Sequence, residues 1–119
     1  MEYRQLGSTG LEVSVLGFGA APLGDVFSRI HPDEGVRAVH CAIDHGINFF
    51  DVSPYYGHTL AEARLGKALD GKRDQVILAT KCGRYDEDLF DFSARRVTAG
   101  VEESLRRLRN RLSGPGPSA

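Results

Sequence analysis

Apolar residues in this chain fall in short runs set between longer stretches where they recur every three or four positions. Arg4-Gln-Leu6 and Glu12-Val-Ser14 flank Gly7-Ser-Thr-Gly10, which predicts a small hairpin around a glycine-rich turn. Val15-Leu-Gly-Phe-Gly19 predicts a short strand, and Ala20 to Gly24 a loop. His31-Pro32-Asp33-Glu34 opens a helix, with Pro in the first turn and two acids at the positive end of the dipole. Val36, Val39, Ala42 and Ile43 give that helix an apolar stripe, and Gly46 ends it.

Ile47-Asn-Phe-Phe-Asp51 predicts the next strand. Thr59-Leu-Ala-Glu62 has the spacing of a capping box and opens a helix to about Asp70, with Leu60, Ala63 and Ala68 or Leu69 inward. Val76-Ile-Leu-Ala-Thr80 is apolar on both faces, as a covered parallel strand is. Ser93 caps a third helix whose apolar stripe is Val97, Val101, Leu105 and Leu108. Strands alternating with helices predict an α/β protein with a parallel sheet. Residues 1–108 hold this pattern, and residues 109–119 read as a Gly/Pro-rich tail where a further strand would be expected. Three parallel strands leave two open edges and an inner face, predicted to bear Phe18, Phe49 and Leu78 or their neighbours, so self-association through the edges is expected.

Charge removes several function classes. The 119 residues carry 15 basic and 16 acidic side chains, which gives no field for nucleic acid or an anionic membrane. The longest apolar runs fall far short of the roughly 18 residues of a membrane span. Two cysteines, Cys41 and Cys82, are too few for a disulfide framework, which points to a reducing, cytoplasmic setting. His31, His40, His45 and His58 do not form a metal set, and no metal is expected. The six arginines from Arg95 to Arg111 read as a solvated helix face.

Candidate chemistry gathers at strand ends. Asp51 and Lys81 each close a predicted strand, and Tyr56 follows Asp51 by five positions. In α/β folds the carboxyl ends of the strands carry the site. A free phenol holds its proton too tightly for easy exchange at neutral pH. A neighbouring ammonium favours the phenolate, and a carboxylate fixes that ammonium. An acid, a phenol and an ammonium so placed point to carbonyl or alcohol redox chemistry. The glycines Gly17, Gly19 and Gly24 lack the spacing of a dinucleotide fingerprint, and no acid follows at the required distance. A Cys82 nucleophile with His58 as its base is a weaker alternative.

Together Arg4 to Ser14, Gly17-Phe-Gly19, Phe18 to Gly24, Gly46 to Asp51, Phe50 to Gly57, Ala79-Thr-Lys81, Thr80 to Tyr85 and Phe92 to Val97 resemble the aldo-keto reductase family. Within it they are similar to the branch that oxidises L-galactose. The resemblance runs from residue 3 to about 108. It implies the first three βα units and hairpin plug of a (β/α)₈ barrel. It further implies a nicotinamide cofactor, NAD or NADP, and a sugar oxidised at C1 to its lactone on the way to ascorbate. By the same resemblance Tyr56 is the general acid or base, Lys81 its cationic neighbour, and Asp51 the partner of Lys81 near the nicotinamide ribose. Ala20 and Ala21 would line the nicotinamide pocket. The family's catalytic His and later strands have no counterpart in these residues, so the 119-residue form is expected to be inactive alone, or else to act as a non-catalytic partner of a full-length enzyme.

Overall fold

A computed structural model describes residues 1–109. The residues from 110 onward, most of the tail read from the sequence, lie outside that range.

The chain opens with a hairpin of β1 (Tyr3–Gln5) and β2 (Glu12–Ser14), paired antiparallel. Three parallel strands follow in chain order: β3 (Phe18–Gly19), β4 (Phe49–Asp51) and β5 (Ile77–Ala79). Helices α1 (Pro32–Asp44), α2 (Leu60–Ala68) and α3 (Ala94–Arg107) come after the three strands in turn. The strands are shorter than the apolar runs that predict them. The expected loop after β3 is a 3₁₀ turn over Ala21–Gly24.

Register sets the two faces of the sheet. Phe18 pairs with Phe50, and Phe50 with Leu78. Phe50 is fully buried, Phe18 and Leu78 pack against the same core, and the Phe18 and Phe50 rings lie 5.0 Å apart. Val39 and Ala42 of α1 and Ala61, Leu65 and Ala68 of α2 close this core with Leu69. The inner face therefore carries Phe49 and, of the alternatives left open by the sequence, Ile77 rather than its neighbour Leu78, while Phe18 turns to the helices, because side chains alternate along a strand. Ile77, Leu78 and Ala79 all remain half-buried, so β5 is not covered on both sides among the described residues.

Local chemistry explains the helix ends. The His31 imidazole Nδ1 accepts from the Asp33 N–H at 3.1 Å ahead of Pro32. Gly46, at φ 95°, sends its N–H to the Ile43 carbonyl, while Ile47 bonds back to Ala42, the paired bonds of a Schellman stop. Ser93 caps α3 through Oγ, which accepts from the Arg96 N–H at 3.2 Å.

The capping box at Thr59 does not form. Thr59 sits at φ 77°, where its hydroxyl makes no cap bond, and its N–H already goes to the Pro54 carbonyl at 2.8 Å. A capping residue needs extended backbone. Glu62 is therefore free to turn inward, and it is fully buried. The inward residues of α2 are Ala61, Glu62, Leu65, Gly66 and Ala68, while Ala63 is exposed. On α3 the buried positions are Gly100 and Ser104, followed by Leu108, and Val101 is exposed. Small residues face inward because α3 approaches closely: the Tyr85 hydroxyl lies against Gly100, and α2 meets the end of α3 at Gly66.

Side-chain bonds tie the layers together. The hairpin is anchored below the sheet through Asn48, whose Oδ1 accepts from the Ser14 N–H at 2.7 Å, and through the Tyr3 hydroxyl on the Gly46 carbonyl at 2.7 Å. The Arg64 guanidinium donates to the Leu23 carbonyl and to Asp25, both at 3.0 Å. The Ile30 N–H also donates to Asp25, and these bonds, the Ile30 N–H foremost, hold the Asp25 carboxyl below its ordinary range.

Two outcomes follow. A methyl group at Gly66 would meet the Leu108 Cα at 2.8 Å, a backbone atom that cannot step aside. Alanine gains about 1 kcal/mol of helix propensity, but overpacking against backbone costs about 1–3 kcal/mol, so Gly66→Ala should lower the urea midpoint. Because the folded Asp25 carboxyl titrates lower than the unfolded one, its contribution is complete above the unfolded value of about 4. That contribution disappears as pH falls through the lower folded value. Acid titration followed by circular dichroism should therefore show a smaller loss of stability below about pH 4 in Asp25→Asn than in the unchanged chain.

Candidate active site

Register places Asp51 at the end of β4, beside Ala79 of β5 and Gly19 of β3. With Phe50 buried among the helices, its neighbour Asp51 turns to the opposite face. Lys81 lies two residues past β5. Its Nζ donates to both Asp51 oxygens at 2.9 Å and to the Val52 carbonyl at 3.0 Å. The same ammonium stands 5.2 Å from the centre of the Tyr56 ring. Asp51, Tyr56 and Lys81, picked out from separate parts of the sequence, thus meet in one cluster. The Lys81 and Asp51 side chains are 46% and 44% exposed, which leaves the cluster open to a ligand.

Tyr56 is held by its own loop. Ser53 Oγ accepts the Tyr55 N–H at 3.1 Å and the Ser53 carbonyl accepts the Tyr56 N–H at 3.1 Å, a turn that reverses the chain after β4. Gly57 then takes φ 65° and lies against Gly24, while Gly24 lies against the Tyr56 carbonyl. A side chain at either glycine would push the loops after β3 and β4 apart. His58 and Thr59 continue at φ 51° and 77°, a run of left-handed backbone that β-branched residues rarely adopt. Strain of this kind gathers at functional sites.

The two alanines differ. Ala20 has no accessible surface and belongs to the core, its N–H bonded to the Asp51 carbonyl at 2.9 Å. A residue without surface cannot touch a ligand, so the lining role expected for Ala20 is corrected, while Ala21 is half-buried.

A cleft bordered by Asp25, Tyr55, His58 and Asp86 opens between the loops that follow the three strands, outside the Asp51–Tyr56–Lys81 cluster. The Arg84 guanidinium stacks on Tyr55 at 4.0 Å and on Phe90 at 5.0 Å, which folds the loop after β5 over the Tyr55 side. His58 Nδ1 lies 3.8 Å from Asp86, and Cys82 is exposed. Among the described residues no group of three or more His, Cys, Asp or Glu is placed to hold a metal, and no helix is long and apolar enough to cross a membrane.

The sequence reading missed Glu62, Arg64 and Arg107. Arg107 is not on a solvated face: its Nε donates to Glu62 at 2.7 Å. Arg96 likewise pairs with Glu103 at 3.2 Å and stacks on Tyr85 at 3.6 Å. The available signal was an acid at position 62 in line with Leu65 and Leu69, an i, i+3, i+7 stripe that is otherwise apolar.

Known proteins match this arrangement. The aldo/keto reductase family model matches residues 15–111. L-galactose dehydrogenase of Arabidopsis thaliana is 57% identical over 111 residues, covering 91% of this chain and 34% of that enzyme. A putative aldo-keto reductase from Pseudomonas aeruginosa superposes with a TM-score of 0.82 at 39% identity, over 91% of this chain and 42% of that one. An aldo-keto reductase from Klebsiella pneumoniae in complex with NADPH superposes with a TM-score of 0.67 at 28% identity, over 83% and 32%. The chain spans about a third of the length of the curated relative, and β3 to β5 with their helices are the N-terminal portion of a (β/α)₈ barrel. By its residues and by its fold alike, this chain belongs to the aldo/keto reductase family.

Proposed function

We propose that Asp51, Tyr56 and Lys81 are the proton-transfer centre of a nicotinamide-dependent oxidoreductase that, in a complete barrel, oxidises L-galactose at C1 to its lactone. The reading places that enzyme in the cytoplasm, on the route to ascorbate, with NAD, or NADP, as cofactor. One observation carries it. The Lys81 ammonium is shared between the Asp51 carboxylate at 2.9 Å and the face of Tyr56 at 5.2 Å. The identity to L-galactose dehydrogenase supports the substrate, and the NADPH complex of the Klebsiella protein supports the cofactor class.

The residues fit the nicotinamide end of such a cofactor. A half-exposed carboxylate suits ribose hydroxyls and would repel a phosphate, and the backbone at Gly19 has open space where a side chain would stand. Asp51 and Ala21 would hold that end, and the bound cofactor supplies a hydride acceptor. Tyr56 takes the proton of the C1 hydroxyl as the hydride leaves C1. Lys81 compensates the charge of the phenolate, and Asp51 keeps Lys81 in place.

A second reading has an observation of its own. Among the described residues β3 and β5 each pair on one side only, and Leu16, Phe90 and Phe92 are exposed. Such edges favour pairing with another copy or with a full-length enzyme, which would make this form a non-catalytic partner.

In a complete barrel Tyr56→Phe should lower turnover by roughly 10² to 10⁴-fold with little change in cofactor binding. Lys81→Met should do comparable damage and move the pH–activity profile upward, since the phenolate loses its cation. Retention of most activity by Tyr56→Phe in steady-state assays would remove the proton-transfer assignment. The 119-residue chain alone should show no L-galactose-dependent NAD⁺ reduction and should elute above monomer size in size-exclusion chromatography. A monomer that oxidises the sugar would sink both expectations.

A further inference from the structure

The ladder between β4 and β5 ends where Asp51 faces Ala79, with one further bond from the Val52 N–H to the Ala79 carbonyl at 2.9 Å. Thr80 and Lys81 lie beyond it. Their placement therefore depends on side chains. Lys81 reaches forward to Asp51 and Val52. Thr80 reaches the other way: its hydroxyl donates to Glu62 Oε2 at 2.7 Å. Successive residues of an extended chain turn to opposite sides, and these contacts follow that rule.

Glu62 is a costly residue to place here. Its side chain has no accessible surface, and a buried carboxylate is tolerated only when paired. Arg107 Nε of α3 donates to Oε1 at 2.7 Å, and Thr80 occupies Oε2. Buried ion pairs contribute little net stability relative to an apolar filling, so stability gives a weak reason for an acid among Leu65, Leu69 and Ala61. Geometry gives a stronger one. The carboxylate joins α2, α3 and the first residue past β5, and that residue is the backbone neighbour of Lys81.

We infer that Glu62 is a positioning residue: through the Thr80 hydroxyl it fixes the exit of β5 and so holds the Lys81 ammonium over Asp51 and Tyr56. The inference rests on the proton-transfer reading of Tyr56 and Lys81. It assigns Glu62 no contact with substrate or cofactor.

The test uses a complete barrel carrying this segment. Thr80→Val removes the hydroxyl and leaves the Glu62–Arg107 pair intact, which protects folding. It should lower kcat by on the order of 10 to 10²-fold, the range expected when a reacting group drifts by a fraction of an ångström to one ångström. The KM for sugar should hold, and the pH profile should move upward as in Lys81→Met. Thr80→Ser should restore both. Combined with Lys81→Met, Thr80→Val should add almost nothing, because the two changes disable one device. Thr80→Ala is the second variant should the valine not pack, with the same expectations. A Thr80→Val enzyme with unchanged kcat and pH profile, or with an effect that adds in full to Lys81→Met, overturns the inference while leaving the proton-transfer reading in place. A harmless Lys81→Met would overturn the reading and the inference together.

Discussion

Parallel register at Phe50 is the constraint from which the rest follows. With Phe50 between Phe18 and Leu78 and no surface left to water, the next residue must face the other side of the sheet. Slipping β4 by one position would exchange the two sides, burying the Asp51 carboxylate among the helices and exposing a phenylalanine. Burying an aromatic side chain fully stabilises by about 1.5–3 kcal/mol, and burying an unpaired carboxylate costs several kcal/mol. Both terms favour the same register. The hydrophobic packing that builds the outer layer therefore also aims the polar group of the inner face.

From that register the polar cluster is assembled by backbone contacts as much as by charge. The loop carrying Tyr56 turns on Ser53 and is pressed against the loop after β3 where Gly24 meets Gly57. Arg64 clamps the second of these loops from α2 by way of Leu23 and Asp25. Glu62, two residues before Arg64 and so on a different side of the same helix, holds the exit of β5. Helix α2 thus orders all three loops at the carboxyl end of the sheet, and the left-handed backbone at His58 and Thr59 is where the chain bends to enter it.

Much of this was legible in the sequence because it depends on local signals. Pro32, Ser93 and Gly46 mark helix ends through backbone chemistry that needs no partner, and all three act as read. Asp51, Tyr56 and Lys81 come together because strand ends converge in any parallel sheet. The misreadings share another origin. At Thr59 the capping box required extended backbone, yet the turn from Ser53 had already forced a left-handed entry. On α3 the apolar stripe was drawn through Val101, but close approach to its neighbours puts Gly100 and Ser104 inward. Arg107 looked solvated until α2 supplied its carboxylate. Ala20 looked like pocket lining until β3 proved two residues long and carried it into the core. Each of these is a tertiary decision, made by an element far away in sequence.

The two halves of the Lys81 environment differ in strength, and the difference bears on how the site is held. The Lys81–Asp51 pair is nearly half exposed, and an exposed pair contributes about 0–1 kcal/mol. Such a bond cannot by itself hold a long flexible side chain to the sub-ångström tolerance that proton transfer needs. On the opposite side of the same backbone Thr80, itself an exposed residue, is fastened to a carboxylate that has no exposure and is held in turn by Arg107. Order at the site is thus supplied from behind, by the layer between sheet and helices, while the face toward a ligand stays soft and wet. That division suits a centre that must admit a sugar and a cofactor before it can close around them, since only the rigid side has to be built in advance.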